Sequence, residues 1–151
     1  MVDAQMRTYF DGVPVPEYDT VAFTEPPALT DATVAIVTTA GLHLPDQPGW
    51  GGDHGDQSFR VLPSGRRDVR FSHVSQNFDR SGIAADLNVV YPADRLDEMV
   101  ARDEIGAVAP NHLSFMGAQD ETMSTIRLDS GPAAAKLLRT DGVDVVLLTP
   151  I

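Results

Sequence analysis

Cysteine is absent from all 151 residues. That one absence excludes disulfides, thiolate zinc sites, iron–sulfur clusters and cysteine nucleophiles. Chemistry must then come from His, carboxylate, hydroxyl, Lys or a bound cofactor. Positive charge is scarce too: 11 Lys and Arg stand against 22 Asp and Glu, a formal net charge of −11. Such a surface repels phosphate backbones, which argues against nucleic acid as a partner. No apolar run approaches the roughly 20 residues that span a bilayer, so no membrane partner is expected. Met1–Phe10 lacks a cationic start followed by an apolar stretch, so no signal peptide is read and the expected compartment is the cytoplasm. Neither H-E-x-x-H nor G-x-S-x-G occurs. No metal is assigned, and the cofactor is left unknown.

What is present describes one α/β domain behind an N-terminal arm. Hydrophobic residues make up 42%, enough for a core in a chain of this length. Residues 1–32 hold Pro14, Pro16, Pro26 and Pro27 and read as an irregular arm, anchored by Phe10, Tyr18 and Phe23. The domain proper is assigned to residues 33–151. Thr33 to Thr39 is β-branched and almost uniformly apolar, as in a central strand buried on both faces. Pro45 to Gly55 is loop. Its Gly51–Asp56 segment lacks the Lys and following helix of a phosphate loop and reads instead as a flexible lid.

Two short strands follow, Ser58 to Leu62 and Val69 to Ser72. A helix is expected from Pro92 to Ile105, with Leu96, Met99 and Val100 as its apolar stripe and Gly106 as its stop. Ala107 to Ala109 reads as a short strand, and Pro132 to Thr140 as a helix ended by Gly142. Val143 to Thr149 reads as a final buried strand. The alternation predicts an open, mainly parallel sheet with flanking helices and right-handed crossovers.

In such a sheet the ligand crevice lies beyond the carboxyl ends of the strands. His43, His73 and His112 each fall just after a predicted strand, whereas His54 sits in the glycine-rich loop. The three strand-end imidazoles are expected on one edge, suited to acid–base work near neutral pH or, if they converge, to a divalent metal. Thr38-Thr39-Ala40-Gly41 is a strand-to-loop turn able to hold a carboxylate or oxyanion. Arg60 lies in an otherwise apolar strand and needs a carboxylate partner, such as Asp79, Asp86 or Asp94, or an anionic ligand. Asp86, Asn88 and Arg95 bracket the entry to the first long helix as capping or packing groups.

The same segments carry a family resemblance. Val34 to His43, Gly55 to Pro63, Ser72-His73 with Asp79, Asp86 to Leu96, Ile105 to Gly117 and Gly142 to Pro150 together resemble the selenoprotein B family of glycine, sarcosine, betaine and D-proline reductases. The match begins at about Thr33 and is nearest the D-proline reductase branch. The resemblance implies a pocket for a small amino acid or derivative, and a reactive selenocysteine or cysteine just after the strand at Val143–Thr149. Carried over by motif match are His43, His73, His112 and Asp79 as catalytic candidates. Thr38, Thr39, Arg60 and Ser114 are carried over as substrate-binding candidates. These 151 residues contain no such chalcogen. Either a UGA codon after Ile151 was read as stop, or the chain is a short, thiol-free paralogue.

Two functions compete, ahead of a third, a regulatory ligand-binding module suggested only by the acidic, pocket-bearing fold. One is an enzyme using His73 or His112 as base, Arg60 as carboxylate anchor and Thr38/Thr39 as oxyanion contacts on a small amino-acid-like substrate. The other is an accessory or binding subunit of a reductase-like complex. The expected partners are a small-molecule substrate and either a second copy of the chain or a related subunit.

Overall fold

The apolar run from Thr33 becomes β1 (Thr33–Thr38), the spine of a five-stranded sheet. The structure is a computed structural model describing residues 2–12, 19–50, 55–75, 78–119 and 122–151. Its helices are α1 (Val2–Asp11), α2 (Ser81–Ala85), α3 (Ala93–Ala101) and α4 (Gly131–Thr140). A π-helical segment, Ile126–Ser130, leads into α4. No helix among the described residues is long and apolar enough to cross a membrane.

One edge of β1 pairs along its length with β7 (Val145–Thr149), in parallel register from Val34↔Val145 to Thr38↔Thr149. The other edge is shared: β5 (Ala107–Val108) covers Thr33–Val34, and β6 (Asn111–Ser114) covers Val37–Thr38, both parallel. β3 (Arg60–Pro63) runs antiparallel to β6. β2 (Leu42–His43) and β4 (Arg70–Phe71) make a separate antiparallel ribbon. The architecture is the mainly parallel α/β sheet expected, with one antiparallel edge.

Alternate side chains of a strand point to opposite faces. Val34 and Ile36 accordingly enter one core layer with Leu62, Tyr91 and Leu96, where α3 packs. Ala35 and Val37 enter the other with Leu113, Ala134 and Leu138, where α4 packs. Burial on both faces is why β1 shows no polar alternation.

Four local expectations change. Val2–Asp11 is helical, because no proline or glycine interrupts the chain before Gly12. Phe23 is 88% exposed and anchors nothing; Tyr18 and most of the Gly51–Asp56 loop, His54 included, lie outside the described residues. α3 ends at Ala101, not Ile105. Asp103 adopts φ 55°, and the amides of Asp103 and Glu104 donate to Val100 O and Met99 O at 3.0 and 2.9 Å. That is a Schellman closure with aspartate in the left-handed position. Gly106 instead lies under the turn at Asp31, where a Cβ would come within 2.6 Å of the backbone. Last, β7 is not buried: Val146, Leu147 and Leu148 are exposed, Leu148 by 66%. Its outer edge has no paired strand among the described residues.

Candidate functional site

His112 is fully buried and sits within the sheet. β5 and β6 break at Pro110, which leaves the Ile36 N–H facing the gap. His112 Nδ1 accepts that N–H at 3.0 Å, standing in for a carbonyl of the ladder. An accepting Nδ1 puts the proton on Nε2. Burial pulls the imidazolium pKa down to about 4, so the ring is neutral. Its edge meets Tyr91 at 5.5 Å between centroids, and burial likewise pushes the Tyr91 hydroxyl up. Tyr91 Oη and His112 Nε2 have no hydrogen-bond partner among the described residues.

His43 is buried in the small ribbon, with Nδ1 2.8 Å from Leu44 O. A carbonyl only accepts, so here Nδ1 carries the proton and Nε2 the lone pair. That Nε2 faces Gly49, where a Cβ would stand 3.4 Å away. His73 has the opposite tautomer, because its Nδ1 accepts from the Ser75 N–H at 3.1 Å. Phe78 meets the ring edge-on at 5.0 Å and Phe71 stacks on it at 6.3 Å. Arg80 lies over both phenyl rings and donates to His73 O and Ser75 O, holding the segment that carries the imidazole.

The remaining candidates divide sharply. Arg60 stacks on Trp50 at 4.1 Å and pairs with Asp56 at 3.0 Å, so Asp79, Asp86 and Asp94 are not its partners. Although burial opposes it, hydrogen bonds from Ser58 and Arg60 hold the Asp56 carboxyl below its usual range. Asp79 is exposed and accepts from Ser81 N and Oγ at the start of α2, bonds that lower its pKa. Asp86 accepts from Asn88, whose Oδ1 takes the Asp94 N–H at the head of α3. Ser114 Oγ is buried and accepts the Leu42 N–H at 2.7 Å.

In the Thr38–Gly41 turn, the amides of Thr39, Ala40 and Gly41 donate to Thr149 O, Thr38 Oγ1 and Phe115 O. All three are already committed, so the turn presents no oxyanion nest. Among the described residues, no three His, Asp or Glu side chains lie together as metal ligands.

Where chemistry-bearing groups do meet is at Gly117. A Cβ there would strike Ile151 O and come within 3.0 Å of both Thr39 O and His73 Nε2. Thr39 Oγ1 accepts the Ile151 N–H at 2.7 Å and ties the segment after β7 to the end of β1. Beside this junction is a cavity of about 530 Å³, walled by Thr39, Met116, Ile126, Ala134, Leu138 and Ile151 among others. Gln119 stands in the same wall. Its Nε2 donates to Asp56 O and Met116 O at 2.9 and 3.0 Å. Thr39 and His73 were expected from the sequence. Gly117 and Gln119 were not, since a glycine's close approach and an amide's locked orientation leave no mark on residue spacing.

Fold and cavity define an α/β protein with a pocket of small-molecule size at the carboxyl edge of its parallel strands. The sequence model of the glycine/sarcosine/betaine reductase selenoprotein B family matches residues 3–151, and the chain belongs to that family. The match takes in α1, well before the motifs that begin at Thr33. The D-proline reductase subunit gamma of Acetoanaerobium sticklandii is 34% identical over 138 residues, covering 85% of this chain and 55% of the relative. The betaine reductase complex component B subunit beta of Peptoclostridium acidaminophilum is 28% identical over 147 residues, covering 91% of this chain and 32% of the relative. The chain thus spans about half the length of the first relative and a third of the second. No solved structure matches.

Proposed function

We propose that this chain binds and turns over a small molecule in the cavity where β1, β6 and β7 end, with His73 as the acid–base group held behind Gly117. The carrying observation is the junction itself: Thr39, Gly117 and Ile151 line the cavity, and His73 Nε2 lies buried 3.0 Å from where a Cβ on Gly117 would stand. The position fits the resemblance, in which the family's reactive chalcogen follows the strand equivalent to β7. The relatives named for D-proline and betaine make an amino-acid derivative the natural substrate class. His73, in its Nε2–H form, starts as a donor and acts first as acid or hydrogen-bond electrophile, not as base. His112, neutral inside the sheet, is assigned to the scaffold. The compartment we propose is the cytoplasm.

Amide chemical-shift mapping tests this. A panel of small amines, amides, carboxylates and neutral rings is titrated into the full labelled chain. Binders are expected to move Thr39, Met116, Gly117 and Ala135; perturbations that cluster elsewhere would overturn the placement.

A second reading rests on β7. Its outer edge is apolar and carries no Lys, Pro or bulge across Val145–Thr149, the devices that usually guard an edge strand. Both relatives are named as subunits. In this reading β7 pairs with a strand of a related subunit or of a second copy. Leu148→Lys is then expected to convert an assembled species to monomer in light scattering, and a wild-type monomer at every concentration would remove the second-copy form of the idea.

A further inference from the structure

We infer that residues 122–130 form a movable wall of the cavity, hinged at Gly131-Pro132 and latched shut by Gln57. This is a property of the wall, whatever the cavity binds. Helical backbone runs through residues 124–140, with the π turn Ile126–Ser130 inside it. Pro132 accounts for the irregularity. It has no N–H for Leu128 O, and in a regular α-helix its ring would press on that carbonyl. The chain loosens instead, and the Gly131 N–H reaches back five residues to Ile126 O. Only glycine fits there, since a Cβ would stand 2.3 Å from that oxygen. A proline beside a π turn is where a helix bends.

Little apolar surface holds the segment before the hinge. None of residues 122–130 is buried, and only Ile126 and Ser130 are half-buried. Ile126 sits at the margin of the core layer that contains Ala134 and Leu138. Polar attachment comes from Gln57, itself buried. Its Oε1 accepts the N–H groups of Thr125 and Ile126 at 2.8 and 3.1 Å, and its carbonyl accepts Ser130 Oγ at 2.6 Å. Those two amides belong to a first helical turn, whose N–H groups find no carbonyl inside the helix. Gln57 therefore does the work of an N-cap from a distant part of the chain. Met123, near the start of the segment, adopts φ 42°, a strained value for a side chain-bearing residue. A segment with so few buried apolar contacts opens well before the fold does. Met123, Ile126 and Gly131 line the cavity opposite the strand ends at Val37, Thr39 and Phe115. Withdrawing the segment widens the cavity and leaves the strand ends in place.

Native-state hydrogen exchange of the full chain at low urea concentrations tests this. The Thr125 and Ile126 amides are expected to exchange through one shared opening, faster than the amides of β1. Their urea dependence should be weak, because undocking uncovers little surface. Two variants identify the latch. Gln57→Met keeps the bulk but loses the acceptor, and should speed both amides by about 10–100-fold, as two lost hydrogen bonds imply. Ile36→Val, in the opposite core layer, weakens the latched and unlatched forms alike. It should speed the β1 amides by about two- to tenfold and leave Thr125 and Ile126 unmoved. Should Gln57→Met fail to fold, Ser130→Ala removes only the hydroxyl bond and should speed the two amides by about two- to tenfold. Exchange of Thr125 and Ile126 only together with β1, with the same steep urea dependence, overturns the inference. An unchanged rate in the latch variant overturns it as well. So does free-peptide exchange in the unmutated chain, since no latch would then hold the wall.

Discussion

His112 keeps a neutral ring in the middle of the sheet, and the cost of that arrangement varies with pH. Burial holds its pKa at about 4, against about 6.5 in an unfolded chain. Between those values the unfolded chain binds a proton that the native one refuses, so native stability rises with pH across this window. The contribution is fully present above pH ~6.5 and is lost on acidification towards pH ~4, by about 3 kcal/mol. Hydrogen-bonded carboxylates such as Asp56 and Asp94 have lowered pKa values, so their contributions disappear only at still lower pH. Urea midpoints measured between pH ~7 and pH ~4 should show the decline. His112→Gln should be weaker at neutral pH yet flatter across the window; an unchanged slope would place the acid sensitivity elsewhere.

Gly117 is the other residue whose chemistry is mostly its size. Because two of the atoms a Cβ would meet are main-chain carbonyls, neither can swing away. Gly117→Ala is expected to cost about 1–3 kcal/mol, the range of overpacking in a filled site. It should also shift the amides of Thr39 and His73. A variant as stable as the parent would mean the junction is looser than the distances imply.

At the scale of elements, the end of α3 offers a gain. Asp103 occupies the left-handed region, which only glycine enters without penalty. Asp103→Gly should stabilise the chain by about 1 kcal/mol, seen as a higher melting temperature with unchanged unfolding cooperativity. Most elements were legible beforehand, since β1, α3 and α4 announce themselves through period and stop residues. Spacing alone carries α3 on to Ile105, because an aspartate closes the helix where Gly106 is the obvious stop. The sequence of β7 predicts burial because an apolar run looks the same at a sheet's centre and at its edge. Only pairing distinguishes them: β7 has β1 on one side and no strand on the other among the described residues.

For the whole molecule, charge is the dominant long-range term. Several of the 11 cationic residues are spent locally: Arg67 on Asp94 and Asp97, Arg102 on Glu98 and Glu104, Arg60 on Asp56. A net charge of −11 leaves mutual repulsion between carboxylates over much of the surface. Raising ionic strength from about 20 mM to about 300 mM shortens the screening length and should raise the melting temperature. A fall instead would mean that the surface ion pairs outweigh the repulsion.

By itself the sequence determined the α/β class, the spine strand at Thr33–Thr38, the acidic surface and the absence of any thiol. Each is a property of composition or of spacing within one segment. Tertiary structure alone decided that the His112 ring fills a gap in the sheet and that the segment after β7 is tied to the end of β1. Ile36 and His112 bond across 76 positions of chain, and Thr39 and Ile151 across 112. Contacts of that reach depend on how the layers pack, and residue patterns along a strand carry no record of them.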